Sequence, residues 1–292
     1  MRIAKSDNAG YQGEILSPGP NVRKGRSPGE GRLEMLPVIV KCLMDLQAMM
    51  MTTRIIEAAT SEDELHSIMV AITQELGFER FALIHHVDGA EAKGHAINLH
   101  NYPPRWADHY FEQDFGLRDP VHRASRLSSC GFRWEKLPDM LPLDASDREM
   151  LAMARDHGIA NGFTIPANVP GEAHGSITFA NPVDYSLPIE MLPLAHWIGN
   201  VAFEAARRLW ATKYPHRMRP RPKLTDRQRD CVLWVARGKT DWEISRILSI
   251  SEETVATHIR QACERYDVSK RTLSLIRTLF DGTLNFPEIF RR

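Results

Sequence analysis

The chain has few of the residues that build covalent or metal cross-links. Only four cysteines occur in 292 residues, and Cys42, Cys130, Cys231 and Cys263 lie far apart without a CxxC spacing. A disulfide framework or a zinc site requires paired or closely spaced cysteines, so the sequence indicates neither. We interpret the four as reduced thiols, most of them buried, and expect no metal and no cofactor.

Long apolar runs and an excess of one charge are also missing. No stretch approaches the roughly twenty apolar residues that a membrane helix needs, and the N-terminus lacks the apolar core of a signal peptide. We therefore expect a cytoplasmic protein with no membrane partner. The two charge signs balance at 37 each over the chain, yet 17 Lys and Arg stand against 10 Asp and Glu between Ala211 and Arg292. This basic C-terminal end favours nucleic acid as a partner.

The residue pattern changes along the chain and divides it into four segments. Residues 1–34 combine Gly, Pro and Ser without an apolar period and are predicted to be a disordered tail, so that Met35 or a nearby Met is a candidate for the true first residue. A mixed domain of helices and strands is predicted for 35–210, a linker rich in proline and cations for 211–222, and a helical domain for 223–292. An apolar content of 43% is enough for a core in the larger domain.

The fold predicted for the whole chain is of the α+β class. The larger domain is predicted to be an α/β/α sandwich around one antiparallel sheet, because helices come before, within and after its strands, and an all-α domain follows it. The β-rich stretches are RFALIHHV, GFTIP and SITFA. Capping residues and apolar periodicity predict four helices in this domain. The first covers Leu36–Ala59 and the last covers Pro188–Ala211. Between them, one helix is capped by Ser61 and Glu64 and ends at Gly77, and another is capped by Ser146 and Glu149 and ends at His157-Gly158.

The basic C-terminal segment predicts three short helices in succession. Capping boxes start the first two, formed by Thr225 with Gln228 and by Thr240 with Glu243. The first helix is predicted over Asp226–Arg237, with Gly238 as its left-handed C-cap. The second is about two turns long, and its apolar residues are predicted to lie largely on the inner face: Trp242, Ile244, Ile247 and Leu248.

A tight turn and a third helix, Glu252–Tyr266, complete this arrangement. Ser251 can cap the third helix, and Val255, Ile259 and Ala262 are spaced to pack it down. A short helix, a tight turn and a polar third helix form a helix-turn-helix, whose last helix enters the DNA major groove. A three-helix protein-binding bundle with a solvated face is the alternative.

The outward side of the third helix supplies candidate DNA contacts. Arg260 is expected to pair with a base, because guanidinium paired with guanine is the commonest specific contact. Other cations lie near helix ends, where phosphate contacts set the register without reading sequence, although a solvated surface position is the alternative for each: Lys239, Arg265, Lys270 and Arg271. The candidate DNA-binding residues are Lys239, Thr240, Thr254, Thr257, His258, Arg260, Gln261, Lys270 and Arg271.

Four stretches of this segment, LTDRQ, VARGKT, ISRILSIS and TVATH, closely resemble the DNA-binding domain of LuxR-type regulators. Gln228 departs from that family, which usually has Glu there, and Ala256 stands where Lys or Arg is common. The first departure keeps a capping side chain without its charge, and the second removes a potential DNA contact. The resemblance implies a transcription regulator and no enzyme, with promoter DNA and RNA polymerase as partners and with DNA affinity or site choice unlike that of typical members.

An aromatic motif stands out in the larger domain, in the stretch NYPPRWADHYFEQDFGLRDP. If Pro104 starts a helix, Trp106 and Tyr110 lie on one face of it, and Tyr102 precedes Trp106 by the same four residues. An isolated motif of this kind is more often core packing, with Asp119 as a turn-former.

Together with Trp134 and Gly162, these positions resemble the autoinducer-binding domain of LuxR-type quorum-sensing receptors. The resemblance runs from about Leu36 to the C-terminus, and implies an N-acyl-homoserine lactone as the ligand and a homodimer as the DNA-binding form. A ligand buried in the core would stabilise the folded state by mass action, so that folding and sensing become one equilibrium.

The resemblance also implies roles for the matching residues, and these roles suit their chemistry. Trp106 would donate to the lactone carbonyl, Asp119 would accept from the amide N–H, and Tyr102 would donate to the acyl carbonyl. The remaining candidates would enclose the ligand: Tyr110 and Trp134 as walls of the lactone ring, and Thr178 as a contact, directly or through water, to a polar group of the acyl chain. Gly162 would mark a place where a side chain intrudes on the packing, with backbone geometry as the alternative.

Three other interpretations of the chain stay open. A phosphorylation-receiver regulator would need an acidic cluster, for which Asp88 is a lone candidate. An enzyme such as a lactonase would need a metal or nucleophile, but His85 and His86 are adjacent and point to opposite faces of a strand, which is poor metal-ligand geometry. The third is a LuxR-type regulator without its own synthase, which senses a non-lactone ligand or acts without ligand as a repressor.

Overall fold

The computed structural model of the protein describes residues 46–87, 96–215 and 222–290, apart from the side chain of Phe111. The predicted disordered tail with Met35, the thiol of Cys42, the Asp88 of the receiver interpretation and the middle of the predicted linker lie outside these residues. Within the described ranges, none of the helices has the length and hydropathy of a membrane span.

One antiparallel sheet of five strands forms the centre of the N-terminal domain. In the spatial order β2-β1-β5-β4-β3, the strands are β1 (Arg80–His85), β2 (Asn98–His100), β3 (Phe132–Arg133), β4 (Asn161–Ala167) and β5 (Gly175–Asn181). The three predicted β-rich stretches form β1, β4 and β5. β2 and β3 were not predicted, because strands of 3 and 2 residues are too short to show an alternating pattern.

Helices cover both faces of this sheet, which confirms the predicted α/β/α sandwich. They are α1 (46–58), α2 (Glu62–Glu75), α3 (Pro104–Glu112), α4 (Pro120–Ser125), α5 (Leu137–Met140), α6 (Ala145–Asp156) and α7 (Leu192–Lys213). Gly77 and Gly158 follow α2 and α6 with φ values of +82° and +77°, as expected of residues that end a helix.

Two helix starts differ from the prediction. Ser146 and Glu149 do not cap α6, because Asp144 and Asp147 form the capping box two residues earlier, and Asp147 is also paired with Arg123 at 2.8 Å. The last helix of the domain was predicted to begin at Pro188, but a 3-10 turn over Ile189–Met191 comes first. α7 itself runs from Leu192 to Lys213 and therefore continues into the first residues of the predicted linker.

The two faces of the sheet have different surroundings. One face packs against α2 and α7 in the main hydrophobic core, and we call it the core face; its residues are Phe81, Leu83, Phe163, Ile165, Ile177 and Phe179. The alternate residues of the same strands lie on the opposite face, which we call the cavity face: Ala82, Ile84, His86, Gly162, Thr164, Ser176 and Thr178. Gly199 lets α7 approach the core face closely, since a Cβ there would lie 2.8 Å from Ile165 Cδ1.

The C-terminal domain is all helical, with α8 (Asp226–Ala236), α9 (Asp241–Leu248), α10 (Glu252–Arg265), α11 (Arg271–Phe280) and α12 (Phe286–Phe290). Both predicted capping boxes form, Ser251 caps α10, and Gly238 has a φ of +77°. The helix-turn-helix prediction is therefore confirmed, whereas α11 and α12 were not predicted.

The prediction for the inner face of α9 was partly wrong. Ile244 is buried against Cys231 and Val255, but Trp242 is 54% exposed and Ile247 is 42% exposed. A helix of two turns offers only a narrow strip of contact to its neighbours, so the outlying apolar residues stay at the surface. Of the thiols described, Cys231 and Cys263 are buried and Cys130 is exposed.

Candidate ligand cavity and DNA-binding surface

A cavity adjoins the cavity face of the sheet, where α3, α4 and α6 contribute to its wall. All six candidate ligand-binding residues line it: Tyr102, Trp106, Tyr110, Asp119, Trp134 and Thr178. Apolar side chains complete the wall, among them Ala82, Ile84, Met150 and Leu151. The structure thus brings residues from distant parts of the chain around one space, and most of its lining is apolar, as is usual for small-molecule sites.

The aromatic motif is placed by α3. Proline at the first helical position presets the backbone angle and lacks only an N–H that would have no partner there, so α3 begins at Pro104 as predicted. Trp106 and Tyr110 then lie one turn apart, with ring centroids separated by 5.8 Å. Trp106 is 3% exposed and packs with Met150 and Ala154 of α6.

Asp119 is the N-cap of α4 and is 7% exposed. Its Oδ1 accepts from the backbone N–H of Val121 at 2.7 Å, and its Oδ2 accepts from the hydroxyl of Tyr110 at 2.9 Å. Each carboxylate oxygen can accept two hydrogen bonds, so the group keeps capacity for a donor in the cavity. A cap and a neighbouring hydroxyl therefore hold an acceptor in a fixed orientation at the cavity wall.

Two donors at the cavity wall have no partner among the described residues: the indole N–H of Trp106 and the hydroxyl of Tyr102. Burial, together with the negative charge of Asp119, raises the pKa of Tyr102 far above its usual value, so this hydroxyl stays protonated. Because a buried donor without a partner is costly, these groups suit a ligand that carries acceptors.

Trp134 is tied to the sheet by a short chain of hydrogen bonds. Its indole N–H donates to Thr164 Oγ1 at 2.9 Å, and Thr164 Oγ1 lies 2.8 Å from Thr178 Oγ1. A Cβ on Gly162 would lie 2.3 Å from Trp134 Cε2, and the φ of Gly162 is outside the left-handed region. The packing explanation of Gly162 therefore agrees with the structure better than the backbone one.

Several polar residues beside the cavity were missed in the sequence, among them His86, His122 and Ser176, while His100 also lines it. The rings of His86 and His122 stack with centroids 3.7 Å apart, and His86 Nε2 lies 2.9 Å from Ser176 Oγ. His122 and Ser176 line the cavity. Ser176 precedes Thr178 by two residues on a strand, which is a signal for the same face. His86 was considered only as a metal ligand, and the described residues contain no cluster of three or more His, Cys, Asp or Glu that could hold a metal ion.

The outward side of α10 carries the central DNA-binding candidates. With 100° per residue, Thr257 points directly away from the buried stripe of Val255, Ile259 and Ala262. Arg260 and Gln261 flank Thr257 on either side, and Arg260 is exposed, whereas Gln261 Oε1 accepts a hydrogen bond from Gln228.

The other DNA-binding candidates lie on α10 itself or on the elements next to it, and several of them have intramolecular partners. Thr240 caps α9, the Thr254 hydroxyl lies 2.8 Å from that of Ser251, and His258 is half-buried, while Lys270 is exposed next to the start of α11. Lys239 and Arg271 pair with Glu243 and Asp241, each at 2.8 Å. These two pairs are partly exposed, so solvent weakens them and phosphate can compete for the cations.

Comparison with known proteins identifies both domains. The family model "Autoinducer binding domain" matches residues 61–206, and the model "Bacterial regulatory proteins, luxR family" matches residues 222–277. The transcriptional activator protein VanR of Vibrio anguillarum is 28% identical over 236 residues, which cover 77% of this chain and 93% of that protein.

Solved structures show the same fold. SdiA in complex with octanoyl-rac-glycerol matches with a TM-score of 0.59 and 22% identity, over 82% of this chain and 96% of that chain. Escherichia coli SdiA in another crystal matches with a TM-score of 0.59 and 23% identity, over 81% of this chain and 98% of that chain. The arrangement of an antiparallel sheet with helices followed by a helical domain is therefore shared with these proteins.

Proposed function

The chain belongs to the LuxR family of quorum-sensing transcriptional regulators, with an autoinducer-binding and a DNA-binding domain, and from this we propose that it binds an N-acyl-homoserine lactone and, as a homodimer, promoter DNA. The observation that carries the ligand proposal is the convergence of two unpartnered donors, on Trp106 and Tyr102, with the acceptor of Asp119 at one apolar cavity. Its relatives are regulators rather than enzymes.

The polar atoms of an acyl-homoserine lactone match these groups one by one. In our proposal, Trp106 donates to the lactone carbonyl, Tyr102 donates to the acyl carbonyl, and Asp119 accepts from the amide N–H. A carboxylate makes a stronger hydrogen bond than a neutral acceptor. Tyr110 and Trp134 wall the lactone ring, and Thr178, at the end of the Trp134 and Thr164 chain, faces a polar atom of the acyl part.

Substitution of Asp119 tests the ligand proposal. Asp119→Ala removes the acceptor but also the cap of α4, so Asp119→Asn, which keeps a good capping side chain, is the second variant. Titration calorimetry with octanoyl-homoserine lactone should show at least a tenfold loss of affinity in both variants, while circular dichroism shows that Asp119→Asn is folded. Unchanged affinity in Asp119→Asn would contradict the amide assignment.

The DNA proposal rests on the exposed side of α10. A dimer places two such helices about 34 Å apart, which matches a two-fold symmetric site. Arg260→Ala should cost about 1–3 kcal/mol of discrimination at one base pair, measured by binding to sites with single base changes. Lys270→Ala is the matched control, since loss of a phosphate contact weakens all sites equally; a uniform loss in Arg260→Ala would assign that residue to a phosphate as well.

Further partners follow from the family relationship. We propose that the dimer acts in the cytoplasm and contacts RNA polymerase at the promoter. Sedimentation of the full chain with ligand and a symmetric DNA site tests the dimer, and transcription in vitro with purified polymerase tests the second contact. A monomer on DNA, or transcription that does not respond to the protein, would contradict the respective proposal.

A second candidate is a sensor of an acylated ligand other than a lactone. The neighbour SdiA, of the same fold, was solved in complex with octanoyl-rac-glycerol. Competition between octanoyl-rac-glycerol and octanoyl-homoserine lactone for the purified protein separates the two. Equal yields of soluble protein with and without any such ligand would favour a regulator that folds and acts without one.

A further inference from the structure

Two stacked histidines back the cavity wall next to the groups assigned above. His86 and His122 are buried, and their rings lie nearly parallel, 12° apart. His86 continues the cavity face of β1, while His122 lies on α4 three residues after Asp119. His122 lines the cavity itself, whereas Ser176 on β5 connects His86 to it, because the Ser176 hydroxyl lies 2.9 Å from His86 Nε2 and its side chain lines the wall.

Burial keeps His86 neutral. Its pKa lies well below the usual value, because the ring is removed from water and because a proton on it would be repelled by His122, Arg126, His174 and His85 whenever these groups are charged. A neutral imidazole has one N–H and one nitrogen that accepts. The position of this single proton decides which way the hydroxyl of Ser176 points.

The surroundings of the ring place this proton on Nε2. His86 Nδ1 is buried and has no hydrogen-bond partner among the residues that the structure describes. A buried N–H without a partner is rarer in proteins than a buried acceptor without one, so the N–H belongs on Nε2, where a partner is present. His86 then donates to Ser176 Oγ, and the face-to-face contact with His122 keeps the ring from turning.

The hydroxyl hydrogen of Ser176 is consequently free to donate into the cavity. No described residue other than His86 is bonded to this side chain. Ser176 lies two residues from Thr178 on the same face of β5, which separates the two hydroxyls by about 7 Å along the strand. The wall thus presents the Ser176 hydroxyl as a further donor, in addition to the Trp106 indole and the Tyr102 hydroxyl.

We propose that Ser176, oriented by His86, is a specificity determinant that donates a hydrogen bond to an oxygen on the acyl group of the ligand. An oxo or hydroxy acyl chain is preferred to a plain alkyl chain of the same length, because the plain chain covers the donor without accepting from it. This inference rests on the proposed function. His86 acts as a positioning residue, since it does not line the cavity itself.

The experiment compares matched ligands on the full-length protein. Titration calorimetry uses plain octanoyl-homoserine lactone and a set of octanoyl-homoserine lactones with one keto or hydroxyl oxygen at successive chain positions. At least one oxygenated ligand should bind about tenfold more tightly than the plain one, the factor expected when a buried donor gains its partner. Ser176→Ala should bring this ratio close to one, and Thr212→Ala, at an exposed hydroxyl on α7, should leave it unchanged.

Two further variants keep the test decisive if Ser176→Ala does not fold. Ser176→Cys keeps the shape of the side chain, at a slightly larger size, with a weaker donor and should reduce the ratio. His86→Phe keeps a ring for stacking but removes the hydrogen bond, so it should lower the ratio; a merely structural role would weaken both ligands equally.

The inference and the proposed function fail in different ways. Equal binding of plain and oxygenated lactones by the wild-type protein, or an unchanged ratio in the Ser176 variants, would overturn the role of Ser176 and leave lactone binding in place. A wild-type protein that binds none of the lactones would overturn both.

Discussion

The two faces of the sheet belong to the same strands but do different things. On the core face, residues such as Leu83, Ile177 and Phe179 are fully buried and pack against helices. On the cavity face, the alternate residues Thr164, Ser176 and Thr178 are also buried but carry hydroxyls in short hydrogen-bonded chains. The alternation of a β-strand therefore lets one sheet provide stability on one side and recognition on the other.

The comparison predicts that substitutions on the core face change the free energy of unfolding and leave ligand recognition alone. Phe179→Ala should produce the largest effect. Phe179 is 0% exposed and its ring centroid lies 5.3 Å from that of Phe78, so the loss should be about 3–5 kcal/mol in urea unfolding. The rise in melting temperature on adding ligand should stay as in the wild type; loss of this rise would break the separation of the faces.

The next largest effect is expected from His85, which β1 directs toward the core helices and which should make the free energy of unfolding depend on pH. Burial lowers the pKa of His85 to about 4, with Glu172 opposing and Arg207 adding to the shift. The unfolded chain binds a proton on this ring near pH 6.5, whereas the folded protein does not. The contribution of His85 to the free energy of unfolding is therefore complete above pH 6.5 and is lost as the pH drops from 6.5 toward 4, by about 3 kcal/mol.

Urea unfolding at pH 7, 6 and 5 measures this slope. His85→Leu should flatten it, and the part that remains belongs to the other histidines whose pKa is lowered in the same direction: His86, His100 and His174. An identical slope in His85→Leu and the wild type would contradict the assignment.

The same substitution at two glycines, one on each side of the sheet, compares the two faces. Gly162→Ala on the cavity face meets Trp134 at 2.3 Å, and Gly199→Ala meets Ile165 of the core face at 2.8 Å. Each should cost about 1–3 kcal/mol of unfolding free energy through overpacking, with Gly199→Ala at the lower end because alanine favours a helix. Only Gly162→Ala should also weaken lactone binding, tenfold or more in calorimetry. Equal ligand affinities in the two variants would remove the distinction.

The smallest expected effect comes from the hydrogen-bonded chain on the cavity face. Thr164→Val keeps the volume but leaves the indole N–H of Trp134 without its acceptor, at a cost of about 1 kcal/mol in thermal unfolding. Lactone affinity should fall several-fold, because Thr178 loses the neighbour that orients its hydroxyl. An effect on stability without one on affinity would place Thr178 outside the ligand contacts.

Local signals predicted most of the helices and the longer strands. Capping boxes at Thr225 and Thr240 and the helix start at Pro104 depend on neighbours within a few residues, and the structure has all three. The misplaced cap of α6 involves a contact of longer range: Asp144 and Ser146 are both good capping residues, and Asp147, which completes the capping box with Asp144, also pairs with Arg123, 24 residues earlier in the chain.

The cavity contains residues that could not be predicted from the sequence. Tyr102, Trp106 and Asp119 were found because a family pattern marks them, not because their chemistry alone distinguishes a site from a packed core. No family pattern of this kind includes His86, His122 and Ser176. Their meeting depends on the register of β1 against β5, which places Ile84 opposite Ser176, and on the approach of α4 to the sheet.

The sequence by itself determined most of the helices, the three longer strands with their alternation, and the chemistry available at each position, because these follow from near neighbours and side-chain type. Only the tertiary structure decided which polar groups satisfy one another and which are left to face the cavity. The reason is that these buried hydrogen bonds form between residues far apart in the chain. Whether a hydroxyl or an indole N–H has a protein partner therefore depends on the packing of the folded protein.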